Sequence, residues 1–207
     1  MLVEEGDPAE VIGRIADEQH CDLILTGTAR NERLGRRFVG SSVNGLLQTT
    51  KTPVLIVKNR PVAPYSKVAV ATDFSKTSRE ALLAALSWFG DRPLTLFNAY
   101  DVPLPGFVPN RVHEDYRKAV VDDCETFLDT SSISALARKR LHIVLKPGLP
   151  RQLLRDHVAV SGTDLVVIGT RGCNASFDLS IGSTAKEIVG LMPCDVLVVP
   201  ETQIRRT

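Results

Sequence analysis

The sequence has few aromatic residues, almost no net charge and no apolar run long enough to cross a membrane. Its 207 residues include 5% aromatic side chains and carry a formal net charge of +1. Such a charge gives no electrostatic basis for binding nucleic acid or an anionic membrane surface. The longest apolar runs, such as DLVVIG and DVLVVP, have the length of strands. We therefore expect neither nucleic acid nor a membrane among its partners.

Metal-binding and redox motifs are also missing. The four cysteines have no CxxC spacing and the four histidines form no HxH or HExxH cluster, so no metal site is predicted. The acidic N-terminus, MLVEEGDPAE, lacks the basic and apolar segments of a secretory signal. We expect a cytoplasmic protein with free thiols.

An internal repeat is the main feature that the sequence does contain. Residues of two stretches align without a gap when they are compared 142 positions apart. The aligned pairs include Gly6 and Gly148, Gly27 and Gly169, Gly40 and Gly182, and Leu55 and Leu197. An unbroken register over about fifty residues indicates duplication of one unit.

The second copy alternates predicted strands and helices. The predicted strands are KVAVAT (67–72), LTLFNAY (94–100), HIVLKPG, DLVVIG and DVLVVP. The predicted helices are 75–90, a run from about 111 to 138 that TSSIS can break, PRQLLRDHVAVS and STAKEIVGLM. Thr77 and Glu80 are interpreted as a capping box of the first helix. Five apolar strands with helical crossovers predict a doubly wound parallel sheet.

The first copy lacks the beginning of this unit. LVEEGDP aligns with VLKPGLP, so the first copy starts at the third strand and lacks about 75 residues. KNRPVAPYSK (58–67) has the composition of a linker. We expect residues 1–60 to be the C-terminal half of a degenerate unit and residues 61–207 to be a complete unit. These are called the first and the second unit below.

Glycines punctuate the stretch VVIGTRGCNASFDLSIGST at 166–184. Ligands collect at the carboxyl ends of strands in such sheets, and helix N-termini favour phosphate. Gly169, Gly172 and Gly182 would let the backbone approach a ligand, and the Ser183 hydroxyl would donate to a phosphate oxygen. In the alternative interpretation, the first two glycines form a tight turn and Ser183 is an ordinary N-cap. The sequence contains neither a GxxxxGK[ST] loop nor the GxGxxG fingerprint.

The spacing Gly169-x2-Gly172-x9-Gly182-Ser183 resembles the ATP-binding motif of the universal stress protein family. ATDFS (71–75) also resembles the end of that family's first strand, and the resemblance covers nearly the whole chain. It implies a five-stranded parallel sheet of order 3-2-1-4-5, an adenine nucleotide α-hydrolase-like fold. It further implies dimerisation through the fifth strand.

Residue roles follow from the same resemblance. The implied ligand is ATP or another adenine nucleotide, with Mg²⁺ or Mn²⁺ bound through its phosphates. Asp73 and Ala99 would contact the adenine or ribose, Ile168 and Gly169 would flank them, and the later residues would hold the phosphates. The full nucleotide-binding set is Thr72, Asp73, Ala99, Ile168, Gly169, Arg171, Gly172, Gly182, Ser183 and Thr184. Judged from the residues alone, Asp73 could instead cap a helix, Arg171 could be solvated, and Cys173 could be an oxidant sensor or an ordinary loop thiol.

The first copy departs from this motif. Arg30 takes the place of the second glycine and adds a side chain where phosphate would pass. RNERLGRR (30–37) is interpreted as a solvated loop rather than an anion site. We therefore predict no nucleotide in the first unit.

The resemblance implies a regulatory protein that binds ATP in the second unit and acts in the stress response. No catalytic residues are assigned, because Asp73 and Asp178 lie near the relevant elements but neither is a dedicated general base. Slow ATP hydrolysis or autophosphorylation is the most activity that we would expect. The alternative is a scaffold of the same fold that binds no nucleotide. An ATP-pyrophosphatase would require an SGGxDS-like loop where this chain has ATDFSKTS.

The two last strands carry an expectation about assembly. The resemblance implies association through the fifth strand, and PVLIVK (53–58) and DVLVVP (195–200) are both apolar with an otherwise unpaired edge, so we expect them to pair. In the first unit, DLILTG would lose its neighbouring strand and expose an apolar edge. We expect another subunit to cover that edge in a homodimer or larger assembly, and the chain to be a shortened form of a tandem protein.

Overall fold

The computed structural model describes residues 3–31, 36–38, 40–102, 110–170 and 181–201. Its helices are α1 Pro8–Glu18, α2 Ser41–Thr49, α3 Lys76–Phe89, α4 Asn110–Thr130, α5 Ala135–Arg140, α6 Pro150–Ser161 and α7 Ser183–Leu191. Its strands are β1 Ile24–Gly27, β2 Ala29–Asn31, β3 Arg36–Phe38, β4 Val54–Val57, β5 Val68–Ala71, β6 Leu94–Tyr100, β7 Leu141–Pro147, β8 Leu165–Gly169 and β9 Asp195–Val199.

Seven of these strands form one sheet with the order β1-β4-β9-β8-β5-β6-β7. The five strands of the second unit, β7-β6-β5-β8-β9, run parallel to one another. Because β5 to β9 are its first to fifth strands, this is the predicted order 3-2-1-4-5, and the doubly wound fold is confirmed. β1 and β4 of the first unit extend the sheet beyond β9.

The two units meet through their last strands, as predicted. β4 and β9 pair antiparallel, with Leu55 opposite Leu197 and Val54 opposite Val198. Leu55 and Leu197 are equivalent residues of the repeat, so the pairing is symmetric about them. One continuous sheet therefore runs through both units.

Two apolar clusters lie on opposite faces of this sheet. One packs under α1, α2, α6 and α7 and includes Leu46 and Leu154. The other packs under α3 and α4 and includes Leu82 and Phe127. Burying each of these side chains stabilises the fold by about 1.5–3 kcal/mol. Because helices cover both faces, β8 and β9 are buried along almost their whole length and carry nearly continuous apolar sequence.

Side-chain caps mark where α3 and α5 of the second unit begin. The Ser75 Oγ accepts a hydrogen bond from the Ser78 N–H, so Ser75 is the N-cap of α3. The predicted capping box at Thr77 was therefore wrong, because Thr77 already lies within the first turn and is buried. The expected break in the long helical run is confirmed: α4 ends at Thr130, and Ser134 caps the start of α5.

Two expectations about the first unit were wrong. Described residues 3–7 form no strand, although the repeat aligns them with β7. The described residues of the unit form no counterpart of β6, so a strand there would leave its N–H and C=O groups without a neighbouring strand to bond. Within 30–37, Arg30 belongs to β2 and Arg37 to β3, and these strands pair antiparallel, so the stretch is not a loop throughout. That it holds no anion stays a prediction.

Candidate functional site

A cavity of about 420 Å³ lies at the carboxyl ends of β5, β6 and β8. From β5 the chain winds outward to β7, and it then returns to place β8 on the other side of β5. The crevice between β5 and β8 is therefore the topological switch point, where ligands bind in open α/β sheets. The volume is within the range of about 300–1,000 Å³ that is typical of small-molecule sites.

The wall of this cavity contains both apolar and polar residues. The apolar residues are Ala71, Phe97, Ala99, Pro150, Leu154, Ile168, Ala185 and Ile188. The others are Thr72, Asp73, Ser78, Gly169, Thr170, Gly182, Ser183 and Thr184. Asp73 is the one charged side chain among the described residues that line it. This wall can enclose a flat apolar ring system and offers hydroxyl and backbone groups at its mouth.

Eight of the ten predicted nucleotide-binding residues line this cavity. They are Thr72, Asp73, Ala99, Ile168, Gly169, Gly182, Ser183 and Thr184. The other two, Arg171 and Gly172, lie outside the described residues, as do Cys173 and Asp178. The fold thus brings together residues that lie more than a hundred positions apart in sequence.

The N-terminus of α7 opens onto the cavity. Gly182 is its N-cap and makes no side-chain capping hydrogen bond, so the interpretation of Ser183 as the N-cap was wrong. The Gly182 N–H donates to the Thr170 main-chain oxygen at 2.8 Å, which joins the start of α7 to the end of β8. The first N–H groups of a helix have no intrahelical acceptor and carry the positive end of its dipole. This end of α7 therefore suits an anion.

Thr72 shapes the turn after β5. The Ser78 Oγ donates to the Ser75 main-chain oxygen, so the hydrogen in its 2.8 Å contact with the Thr72 Oγ1 comes from Thr72. The Thr72 Oγ1 in turn accepts from the Phe74 N–H at 2.9 Å. Because this chain uses the Thr72 hydroxyl hydrogen, that group is unable to donate to a ligand while the turn keeps its geometry.

Asp73 and Phe74 complete that turn. The Asp73 Oδ1 accepts from the Ser75 N–H at 3.1 Å, as in an Asx turn, while Ser75 caps α3. Phe74 has a φ of 63°, a left-handed conformation that is costly for a bulky residue. Its ring packs on Phe127 of α4 with centroids 5.5 Å apart, which holds the turn in place. Sequence reasoning missed Phe74 and Ser78, although both belong to the stretch DFSKTS.

Gly169 has a structural reason to be glycine. A Cβ built on it would lie 2.7 Å from the Thr77 carbonyl carbon, because the start of α3 packs directly on β8. At the equivalent Gly27 of the first unit, a Cβ would meet nothing within 4 Å. The first glycine of the motif is thus required by helix–strand packing, whatever ligand the cavity holds.

His157 of α6 supports the Phe97 wall of the cavity. The two rings pack with centroids 5.2 Å apart, and the His157 Nε2 is buried with no hydrogen-bond partner among the described residues. Burial lowers the pKa of His157, and the charges of Lys146 and His142 lower it further. The imidazole behind the wall is therefore held in its neutral form.

Within the described ranges, no helix is long and apolar enough to span a membrane. The same ranges contain no cluster of three or more His, Cys, Asp or Glu side chains that could hold a metal ion. Cys21, Cys124 and Cys194 are free thiols, as expected from their spacing.

Comparison with known proteins gives consistent matches along the chain. The sequence model described as Universal stress protein family matches residues 1–58 and 64–200. Universal stress protein E of Salmonella typhi is 25% identical over 216 residues, which is 96% of this chain and 67% of the relative. The crystal structure of a universal stress protein from Archaeoglobus fulgidus is 20% identical in sequence and has a TM-score of 0.68. Its alignment covers 97% of this chain and 71% of the Archaeoglobus chain. This last likeness shows the fold.

Adenine nucleotides are present in two other solved structures. One is a universal stress protein in complex with cAMP, and the other is a universal stress protein family protein from Arabidopsis thaliana with AMP bound. They cover 68% and 66% of this chain with TM-scores of 0.45 and 0.46. At that level of similarity they do not locate a ligand in this chain.

Proposed function

This chain belongs to the universal stress protein family, and from that premise we propose that it is a regulatory protein that binds an adenine nucleotide in its second unit. The nucleotide is ATP or a close relative, and the protein acts in the stress response through a change in shape or in partner choice. The first unit binds no nucleotide. No catalytic step is proposed.

The cavity at the switch point is the single observation that carries this proposal. Its apolar wall, with Phe97, Ile168 and Leu154, suits the faces of an adenine ring. Its mouth ends at Gly182, Ser183 and the free N–H groups of α7, which suit phosphate. One end of the cavity therefore matches the base and the other matches the phosphates.

The described lining has no positive side chain to offer a triphosphate, so positive charge must come from other groups. The described lining carries one charged side chain, the acidic Asp73. A triphosphate there requires positive charge, for which the chain offers Arg171 and the dipole of α7. The described residues form no metal cluster. In this proposal Mg²⁺ or Mn²⁺ is therefore held mainly by phosphate oxygens.

The second candidate function is a scaffold that binds no nucleotide. Two observations favour it: the Thr72 hydroxyl is engaged within the turn, and Gly169 is required by packing against Thr77. Two of the motif's features are thus explained without a ligand. Neither observation accounts for the open cavity or for the hydroxyls of Ser183 and Thr184 at its mouth.

Isothermal titration calorimetry with ATP and MgCl₂ separates the two functions. Gly172→Arg copies the residue that the first unit has at this position, and we expect at least about a tenfold loss of affinity from the blocked phosphate path. The matched control, Arg30→Gly, makes the reverse change in the first unit and should leave affinity unchanged. Absence of binding by the wild type, or equal binding by Gly172→Arg, would favour the scaffold.

A homodimer is the second part of the proposal. β1 is an edge strand of the sheet, and Leu25 on it is 65% exposed. Its equivalent Val167 is fully buried between strands and helices. We expect a second copy to cover the β1 edge. Light scattering at low micromolar concentration should give a dimer for the wild type and a monomer for Leu25→Asp, and a monomeric wild type would contradict this.

A further inference from the structure

Lys58 directly follows β4, the last strand of the first unit, and its side chain reaches into the second unit. Its Nζ donates hydrogen bonds to the main-chain oxygens of Val189 and Met192, the latter at 2.7 Å. Both oxygens belong to the C-terminal end of α7. The last carbonyls of a helix have no intrahelical donor and carry its negative end, so a lysine ammonium satisfies them and complements the dipole.

The backbone of Lys58 is fixed by a buried carboxylate. The N–H groups of Lys58 and Asn59 donate to the Asp195 Oδ1 at 2.7 and 3.1 Å. The Tyr65 hydroxyl donates to the other oxygen of Asp195 at 2.7 Å. Burial lowers the pKa of the Lys58 ammonium to about 8, while Cys194 and Asp195 act in the opposite direction, so the group is a cation at pH 7. Lys58 is therefore a charged group held in one position.

The opposite end of α7 forms the mouth of the cavity. There the Lys186 N–H closes the first helical turn onto the Gly182 oxygen at 3.0 Å, and Ser183 and Thr184 line the cavity. α7 has nine residues and is short enough to move as a rigid rod. A contact that fixes its last turn thus also sets the position of its first turn.

The repeat does not preserve this contact at the equivalent position. Pro200 is the second unit's equivalent of Lys58, and proline has no side-chain donor with which to hold the end of α2. Lys58 therefore gives the helix of the second unit a cationic cap that Pro200 is unable to give to the helix of the first unit.

We propose that Lys58 is a positioning residue through which the first unit holds the cavity end of α7 in place. The inference rests on the proposed nucleotide site and gives the first unit, which binds no nucleotide, a role in that site. Loss of the cap should let α7 shift along its axis, so that Ser183 and Thr184 meet the phosphates less well.

Three variants test this role by calorimetry with ATP and MgCl₂. Lys58→Met keeps the length of the side chain but removes its donors, and we expect affinity to fall about fivefold. Lys58→Arg keeps the cation and should restore affinity to within about twofold of the wild type. Lys67→Met is the matched control, because Lys67 donates to the Ser161 oxygen at the end of α6. It should change affinity by less than about twofold, since α6 begins at Pro150 beside the cavity and offers no hydroxyl there.

Hydrogen exchange separates a failure of this inference from a failure of the proposed function. In Lys58→Met the Gly182 amide, whose hydrogen bond to the Thr170 oxygen joins α7 to β8, should exchange faster than in the wild type, whether or not a nucleotide binds. If the wild type binds no ATP, the proposed function fails, and the exchange result alone decides the role of Lys58. Unchanged exchange, or wild-type affinity in a folded Lys58→Met protein, would overturn the inference. Should Lys58→Met fail to fold, Lys58→Gln replaces it, because it removes the positive charge and has a shorter side chain. Wild-type affinity together with wild-type exchange in that protein would overturn the inference.

Discussion

Equivalent residues of the two units differ in what covers them. Leu154 of α6 is 1% exposed because it packs into the apolar cluster beside the cavity that it lines, whereas its equivalent Ile12 of α1 is 41% exposed. Val167 is fully buried because helices cover both faces of the sheet at β8. Its equivalent Leu25 lies on β1, which is an open edge strand. The equivalent residues have the same spacing in the repeat, so the difference comes from the elements that pack against them. β5, β6 and α3 surround the residues of the second unit, and the described residues of the first unit form no counterparts of these elements.

This contrast explains why the cavity at the switch point lies in the second unit. The crevice needs two walls, one from β8 and α7 and the other from β5 and β6. The first unit has equivalents of the first wall in β1 and α2, but its described residues form no equivalent of the second. Its helices still pack together over one face of the sheet through Ala9, Ala16 and Leu46. Packing of this face therefore does not depend on counterparts of β5 and β6, whereas the crevice does.

The largest expected effect comes from a carboxylate at the centre of the junction between the units. Leu197 is 1% exposed and lies opposite Leu55, so Leu197→Asp would bury an unpaired charge and cost more than about 4 kcal/mol. We expect little soluble, folded protein. Leu55→Asp should be milder, because Leu55 is 8% exposed and its unit lacks the covering α3. Soluble yield and urea denaturation measure both, and equal losses would contradict the asymmetry.

A methyl group added at the first glycine of the motif should lower the free energy of unfolding more in the second unit than in the first, and by less than the change at Leu197. Gly169→Ala places a Cβ against the Thr77 backbone and should cost about 1–3 kcal/mol. Gly27→Ala meets open space and should change the free energy of unfolding by less than about 0.5 kcal/mol. Denaturant titrations of the two proteins give the comparison. A neutral Gly169→Ala would show that α3 does not pack as closely on β8 as described.

The smallest expected effect is a pH dependence at His157. Its folded-state pKa lies below the ordinary value, so the unfolded chain binds more protons as the pH falls below about 6.5. The free energy of unfolding should therefore fall as the pH drops from 6.5 towards 5. His157→Ile copies the equivalent Ile15 of the first unit and should reduce that slope. The same slope in the variant would place the acid sensitivity elsewhere.

The sequence predicted the fold well because its signals were local and repeated. Strand-length apolar runs predicted the doubly wound parallel sheet, and the family resemblance carried by the glycine motif implied the order 3-2-1-4-5. The same resemblance, together with the apolar last strands, led to the predicted pairing of β4 with β9. The strand expected at residues 3–7 did not form, because a strand depends on a neighbour that a local pattern does not reveal.

The sequence predicted which residues form the candidate site but not which hydrogen bonds their side chains already make. The motif and ATDFS pointed to Asp73, Gly169 and Ser183, all of which line the cavity. That the Thr72 hydroxyl is already engaged depends on Ser78 and Phe74, which the turn brings to it. The cap from Lys58 joins residues more than 130 positions apart, and no local pattern marks such a contact.

The central claim is that the two units have diverged so that only the second binds an adenine nucleotide. Photoaffinity labelling with 8-azido-ATP, followed by peptide mass spectrometry, tests it most directly, because the azide reacts where the adenine lies. The account predicts one label per chain, in peptides that contain residues 71–73, 97–99 or 168–170, with competition by excess ATP. Labelling within residues 1–60, or labelling that ATP does not reduce, would contradict it.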